Sequence, residues 1–154
     1  MPLRILRPGI CLTLLEATEK KVRFLQALRD LLGLTDVEMV NDRAETAAHA
    51  PAWREGFDLV VARGVAPLAV LGELCLPFCR LGGRLLAYKK GDIQDEVAMA
   101  GPALDLLGGR LERVAPVEVS AFSDDRALVV VEKVGEKVEE KVEEKVELTK
   151  RKLL

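Results

Sequence analysis

Apolar runs alternate with helical patterns along the first 133 residues of the chain. Six runs have the length and composition of buried strands: Leu12–Leu15, Val37–Val40, Phe57–Ala62, Arg84–Lys89, Leu111–Val119 and Ala127–Lys133. Short apolar runs that alternate with helices are typical of an α/β fold with a parallel sheet. Only "SAFSDDR" separates the last two runs. We therefore predict four strands joined by helical crossovers and a terminal antiparallel hairpin.

Helix-start and helix-end residues place three helices between these strands. Thr18 is a predicted N-cap and Gly33 a predicted C-cap of the first helix. The second helix is predicted to begin at Pro67 and to end before Gly82–Gly83, and the third to run from Ile93 to Leu107. The apolar stripe of the first helix consists of Val22, Leu25, Leu28, Leu31 and Leu32.

The composition changes after Lys133. Residues 134–154 read "VGEKVEEKVEEKVELTKRKLL", with valines at 134, 138, 142 and 146. On a helix, a strict period of four residues drifts by about 40° per repeat, so these valines cannot keep one face. We predict a folded domain over residues 1–133 and a charged low-complexity tail over residues 134–154. The tail is interpreted as a solvated helix or a disordered segment, with a partner-binding element as the alternative.

Composition and charge narrow the classes of function. With 154 residues, 49% of them apolar, the chain can form one domain with a core. Its 23 basic and 25 acidic residues give a net charge of −2. No global basic field therefore indicates nucleic-acid binding, although a local basic face stays open. No apolar run approaches the roughly 20 residues of a membrane span, and no cleavable leader is visible, so we predict a cytoplasmic protein without a membrane partner.

Cysteine and histidine usage argues against a metal centre. The three cysteines, Cys11, Cys75 and Cys79, lie in apolar segments, and His49 is the single histidine. An odd number of cysteines in apolar surroundings is typical of reduced packing residues. We therefore predict neither disulfides nor a bound metal.

Glu16 follows the first apolar run and precedes the first helix. In nucleotide-binding α/β folds, a carboxylate at the carboxyl end of the second strand accepts hydrogen bonds from ribose hydroxyl groups. The alternative is that Glu16 is a favourable negative charge near the N-terminus of a helix.

Two further stretches follow strands in the same way. In "VNDRAET", Ala44 and Glu45 come just after the second run, where a backbone amide or side chain can meet an adenine edge. The alternative for Glu45 is a capping acid on a short helix. Arg63 ends "FDLVVAR" at the carboxyl end of its strand, the side of an open sheet where ligands bind. The alternative for Arg63 is an ordinary surface residue.

Four blocks then carry a family resemblance. "LTLLEATEKKVRFLQAL", "NDRAE", "FDLVVARGVAPLAVLGELCLPFCRLGGRLLAYKKG" and "SDDRALVVVEK" occur in this order over Pro2–Lys133. They resemble the small-subunit (16S) ribosomal RNA guanine-N7 methyltransferase family, methyltransferase G, first named glucose-inhibited division protein B. The resemblance implies an α/β fold with a Rossmann-like class I S-adenosylmethionine-dependent methyltransferase sheet, mostly parallel with a C-terminal antiparallel hairpin.

The resemblance also implies a cofactor, a partner and a set of site residues. The cofactor is S-adenosyl-L-methionine, and the partner is small-subunit ribosomal RNA or the ribosomal subunit. Lys89 falls near the point where the target base enters. No catalytic residue is assigned, because guanine N7 carries a lone pair and no proton and therefore needs no general base. The implied cofactor-binding residues are Glu16, Ala17, Thr18, Ala44, Glu45 and Arg63.

The chain departs from the family pattern at both ends. In the family, a helical region, a first strand and a glycine-rich loop come before the segment that corresponds to Pro2–Pro8, and a short basic tail ends the chain. Because the sequence lacks this strand and loop, we expect the chain alone not to methylate ribosomal RNA. The alternative function is a non-catalytic remnant or assembly module of the same fold. A nicotinamide-dependent dehydrogenase is disfavoured, because it also needs a glycine fingerprint and gives no reason for "VARGVAPL".

Overall fold

The computed structural model of the chain describes residues 1–118 and 125–135. This part contains five α-helices, one short 3-10 helix and six β-strands. The chain divides into two compact units, Met1–Ala50 and Pro51–Leu154. The predicted domain boundary at residue 133 stays a prediction, and the valines at 138, 142 and 146 lie outside the described residues.

The first unit is built around two parallel strands. It contains α1 (Pro2–Leu6), β1 (Leu12–Leu15), α2 (Glu19–Leu31), β2 (Val37–Val40) and α3 (Ala44–Ala47). The strands pair in parallel from Leu12 opposite Val37 to Leu15 opposite Val40. Both strand ranges match the prediction, and Thr18 is the N-cap of α2, as expected. Four apolar residues of this unit are buried: Val22, Val37, Ala47 and Ala48.

The second unit contains a four-stranded mixed sheet. Its elements are β3 (Phe57–Arg63), α4 (Leu68–Cys75), a 3-10 helix (Leu76–Phe78), β4 (Cys79–Lys90), α5 (Gln94–Leu106), β5 (Gly109–Pro116) and β6 (Arg126–Lys133). The strand order is β3-β4-β6-β5. Strands β3 and β4 are parallel, whereas β6 is antiparallel to both β4 and β5. The predicted terminal hairpin is therefore confirmed.

One face of this sheet carries the main core. Leu85 and Ala87 of β4 and Val129 and Val131 of β6 are fully buried, because alternate residues of a strand point to the same face. The helices α4 and α5 contribute to the same cluster of buried residues. Their members of the cluster are Leu68, Leu71, Cys75, Ala100 and Leu104.

The second predicted helix, α4, is shorter in the structure than the sequence predicted. Helix α4 begins at Leu68, with Pro67 as its N-cap instead of its first residue, and it ends at Cys75 instead of just before Gly82. Strand β4 begins at Cys79 instead of Arg84. Pro77 explains the early end, because proline lacks the amide hydrogen that an α-helix needs. Cys79 then pairs with Phe57 at the start of β3. Strand β5 also lies earlier than predicted, at Gly109–Pro116.

The cysteines are free thiols in the structure. Cys75 and Cys79 are buried, which confirms their predicted packing role, but Cys11 is exposed, so that prediction was wrong for this residue. Within residues 1–118 and 125–135, no helix has both the length and the apolar character needed to cross a membrane. The same residues contain no cluster of three or more His, Cys, Asp or Glu side chains that could hold a metal ion.

Candidate functional site

The first unit brings the ends of two parallel strands to one edge. Glu16 follows β1 and Asn41 follows β2, and the backbone N–H of Glu16 donates to the carbonyl of Val40 at 3.1 Å. Ligands of open α/β sheets bind beyond the carboxyl ends of parallel strands. The turn at Glu16–Thr18 therefore lies where the sequence places a ligand-binding carboxylate.

The Glu16 carboxylate is oriented by the start of α2. Its Oε1 accepts a hydrogen bond from the backbone N–H of Thr18 at 2.8 Å, and Oε2 lies 3.5 Å from Nζ of Lys21. The Thr18 N–H and, to a smaller degree, the Lys21 ammonium lower the pKa of this carboxyl from 4.5. Glu16 therefore accepts a hydrogen bond from the N-terminus of α2. This is the alternative role that the sequence left open for Glu16. An ionised carboxylate has about four acceptor positions, so this role leaves capacity for a ligand.

Asn41 fixes the turn that carries this acid. Its Nδ2 donates to the carbonyl oxygens of Glu16 at 3.0 Å and Ala17 at 3.2 Å. Ala17 and Thr18 are exposed beside it. Asn41 was not among the predicted site residues, although an asparagine directly after a strand is a recognisable signal for a side chain that binds nearby backbone.

Ala44 and Glu45 form the first turn of the short helix α3. Ala44 is half-buried and Glu45 is exposed. The Glu45 carboxylate accepts a hydrogen bond from Arg43 Nη2 at 2.9 Å, and its pKa is lowered, first by its own backbone N–H and then by Arg43. Glu45 therefore has the geometry of an acid at a helix N-terminus. Contact of Ala44 or Glu45 with adenine stays a prediction.

The second unit places Arg63 and Lys89 at the ends of neighbouring strands. Arg63 is the last residue of β3, is exposed, and lies opposite Tyr88 in the parallel register of β3 and β4. Lys89 is the next residue of β4. The two basic residues thus share the carboxyl edge of one pair of strands, which is the edge that the sequence predicts for ligand binding.

Lys89 is held by the loop that follows Arg63. Its Nζ donates to the carbonyl of Ala66 at 2.8 Å and to Oε1 of Glu96 at 2.6 Å. The same carboxylate oxygen accepts the backbone N–H of Leu68 at 2.6 Å. The side chain of Lys89 is only 11% exposed. Two of the three donors of this ammonium are therefore used inside the protein, and Glu96 is a second residue that was not among the predicted site residues.

Five of the predicted cofactor residues lie in the first unit and one in the second. Glu16, Ala17 and Thr18 form one turn, which Asn41 joins to the end of β2. Arg63 and Lys89 belong to the second unit.

Comparison with known proteins identifies the family. The model of the family described as "GidB: rRNA small subunit methyltransferase G" matches residues 1–128. The chain belongs to this family. A ribosomal RNA small subunit methyltransferase G from Dehalococcoides mccartyi is 48% identical over 134 residues, which are 87% of this chain and 57% of that protein. The methyltransferase G of Clostridium novyi is 35% identical over 154 residues, 100% of this chain and 63% of that protein. The chain thus spans about three fifths of the length of these relatives.

Solved structures place this chain in a wider fold class. A 16S rRNA (adenine(1408)-N(1))-methyltransferase variant from Catenulisporales acidiphilia, solved with S-adenosylmethionine, matches with a TM-score of 0.70 at 13% identity and covers 88% of this chain and 78% of its own. An rRNA methylase from Streptococcus thermophilus matches with a TM-score of 0.56 at 20% identity, over 80% of this chain and 73% of its own. The fold is therefore that of class I S-adenosylmethionine-dependent methyltransferases, as the sequence predicted.

Proposed function

We propose that this chain carries cofactor-binding residues of an S-adenosylmethionine-dependent methyltransferase that modifies guanine N7 in small-subunit ribosomal RNA. Membership of the GidB family supports the reaction class. The observation that carries the proposal for the chain itself is the oriented carboxylate of Glu16 at the carboxyl end of β1. Small-subunit ribosomal RNA, free or within the subunit, is the proposed partner, and the cytoplasm is the proposed location.

The carboxylate acceptor that follows β1 fits the ribose hydroxyl groups of the cofactor. The Thr18 N–H binds the ionised Glu16 carboxylate and lowers its pKa, and the side chain is 26% exposed. Ribose hydroxyls are donors, and each hydrogen bond to an ionised acceptor contributes about 1.5–3 kcal/mol. Asn41 holds the carbonyls of Glu16 and Ala17, so the turn does not have to be ordered when the ligand binds.

The remaining predicted residues have separate proposed roles. Ala17, Thr18, Ala44 and Glu45 line the nucleoside part of the cofactor, and Arg63 lies on the ligand side of β3. The cofactor supplies an electrophilic methyl group on a sulfonium. Guanine N7 attacks with its own lone pair, so the protein has to align the base and the methyl group at about 3–3.5 Å and needs no general base.

Calorimetric titration with S-adenosylmethionine tests the role of Glu16. Glu16→Ala is expected to weaken binding at least about tenfold, because it removes one or more charged hydrogen bonds. Glu16→Gln keeps an oxygen for the Thr18 N–H, so it separates the ligand contact from the helix contact. Its affinity is expected to fall while α2 stays intact by circular dichroism.

Glu19→Ala is the matched control. Glu19 is an acid in the first turn of the same helix, is 70% exposed, and pairs with Arg23. Its removal changes the charge of the turn but should leave the affinity unchanged. If the parent chain and Glu16→Ala bind S-adenosylmethionine with equal affinity, Glu16 is only a favourable charge at the helix N-terminus.

A transfer assay on under-modified small subunits tests the reaction. Radiolabelled methyl transfer is measured for this chain and for the Dehalococcoides mccartyi relative, and the modified nucleoside is identified by mass spectrometry. Label on guanine N7 supports the proposal, and label on another atom contradicts the proposed target. Activity of the relative without activity of this chain agrees with the expectation from the sequence, and the calorimetric titration then decides between a cofactor-binding chain and the non-catalytic alternative.

A further inference from the structure

Two elements of the second unit, β4 and α5, reach the loop between β3 and α4. The loop comprises residues 64–67, directly after Arg63, and Gly64 has a φ of +65°. Lys89 reaches it from β4 through the Ala66 carbonyl, and Glu96 reaches its far end from α5 through the Leu68 N–H. The Lys89–Glu96 pair thus touches the backbone on both sides of Pro67.

Glu96 supplies an acceptor that α4 lacks. The N-cap of α4 is Pro67, whose side chain makes no capping hydrogen bond. Leu68 is 0% exposed, so its N–H would be buried without a partner if Glu96 were absent. Buried backbone donors without partners are rare, because they lose their hydrogen bonds to water on folding. The carboxylate of Glu96, on the neighbouring helix α5, therefore caps the N-terminus of α4.

Lys89 balances the negative charge of the partly buried Glu96 carboxylate. The Glu96 side chain is 32% exposed and that of Lys89 is 11% exposed, so both charges are partly withdrawn from water. At 2.6 Å the ammonium neutralises the carboxylate and also satisfies the Ala66 carbonyl. The removal of either charge would leave the other partly buried and unpaired, which is the costly arrangement for such pairs.

We propose that Lys89 and Glu96 are positioning residues that fix the loop 64–67 and, through it, Arg63 at the ligand-binding edge. The consequence for the ligand rests on the proposed function, whereas the consequence for the loop does not. Lys89 then acts through the loop backbone, in addition to its predicted place on the substrate side.

Amide hydrogen exchange at Leu68, measured by NMR on the whole chain, tests the loop. Glu96→Ala is expected to accelerate exchange by about tenfold or more, because it removes the acceptor that binds this N–H in the described part of the chain. Glu96→Gln keeps an oxygen acceptor and should restore most of the protection. Lys89→Met removes the separate contact with the Ala66 carbonyl, so it should also accelerate the exchange, and the double variant Lys89→Met/Glu96→Ala should exchange at least as fast as Glu96→Ala.

Two neighbouring residues provide matched controls. Asp95→Asn removes an exposed acid from the same first turn of α5, and Lys90→Met removes an exposed cation from the same end of β4. Neither should change the exchange of Leu68. Unchanged exchange in Glu96→Ala, or equal acceleration in Asp95→Asn, would overturn the proposal.

Affinity for S-adenosylmethionine tests the consequence for the site. Lys89→Met and Glu96→Ala are expected to weaken binding by about fivefold, if the correct loop conformation falls to about one fifth of the population. Faster exchange at Leu68 with unchanged affinity would overturn the positioning of the ligand edge. If the parent chain itself fails to bind, the proposed function fails, and the exchange experiment still decides whether the pair holds the loop.

Discussion

Gly83 leaves no room for a side chain where β4 passes the start of β3. A Cβ atom at this position would lie 2.9 Å from the carbonyl oxygen of Arg80, 2.9 Å from that of Phe57 and 3.2 Å from that of Asp58. All three atoms belong to the backbone and cannot rotate away. They also lie where the register of β3 and β4 shifts between Phe57 and Leu59. Gly83→Ala should therefore force the two strands apart.

The expected loss follows from these distances. Ordinary contacts of a Cβ atom begin at 3.4 Å, so two carbonyl groups have to move by about half an ångström. Overpacking of this kind costs about 1–3 kcal/mol, and the lower entropy of the unfolded alanine variant offsets about 0.4–1 kcal/mol. We expect a net loss of about 1–2 kcal/mol, which lowers the melting temperature by about 2–8 °C.

Urea unfolding followed by the fluorescence of Trp53 measures this loss. Trp53 is the single tryptophan and stacks on Phe57 with ring centroids 6.4 Å apart, so it reports on the start of β3. Gly101→Ala is the control, because a Cβ atom on Gly101 in α5 meets nothing within 4 Å. It should stabilise the chain by about 0.5–1 kcal/mol. Equal midpoints for Gly83→Ala and the parent would refute the steric reasoning.

Two further predictions concern titratable groups. An NMR titration of Glu16 should give a carboxyl pKa below 4.5, because the Thr18 N–H binds the ionised form. The stability that this contact adds is present above pH 4.5 and is lost as the pH falls through the lowered pKa; a value at or above 4.5 would disprove the contact. Burial raises the thiol pKa of Cys75 to about 11 and that of Cys79 to about 12. At pH 8 a thiol reagent should therefore modify Cys11 alone in the folded chain and all three cysteines in urea. The stability that the chain gains by keeping these two thiols neutral is complete below pH 9 and declines as the pH rises towards 11–12. Fast modification of Cys75 or Cys79 in the folded chain would contradict their burial.

The sequence alone determined most of the regular elements. The ranges Leu12–Leu15 and Val37–Val40 agree with β1 and β2, and the N-cap of α2 is Thr18, as predicted. The pairing of β5 with β6 also followed from the short segment between their apolar runs. These features are local, because alternation, caps and short connections are set by residues a few positions apart.

The end of α4 depended on the tertiary structure. The apolar pattern continues from Leu68 through Leu81, so it does not mark where the helix ends and the strand begins. Pro77 blocks the helix, but only the pairing of Cys79 with Phe57 turns the following residues into a strand. Such pairing joins residues that are far apart in the sequence.

The same distinction divides the candidate site. Positions after strand ends identified Glu16 and Arg63, because the carboxyl edge of an α/β sheet is fixed by chain direction. The partners that hold the site were not visible in this way. Asn41 binds a turn 25 residues earlier in the sequence, and Glu96 caps a helix that begins 28 residues earlier. A side chain finds such partners only after strands and helices have packed, so the local pattern of the sequence carries no signal for the contact.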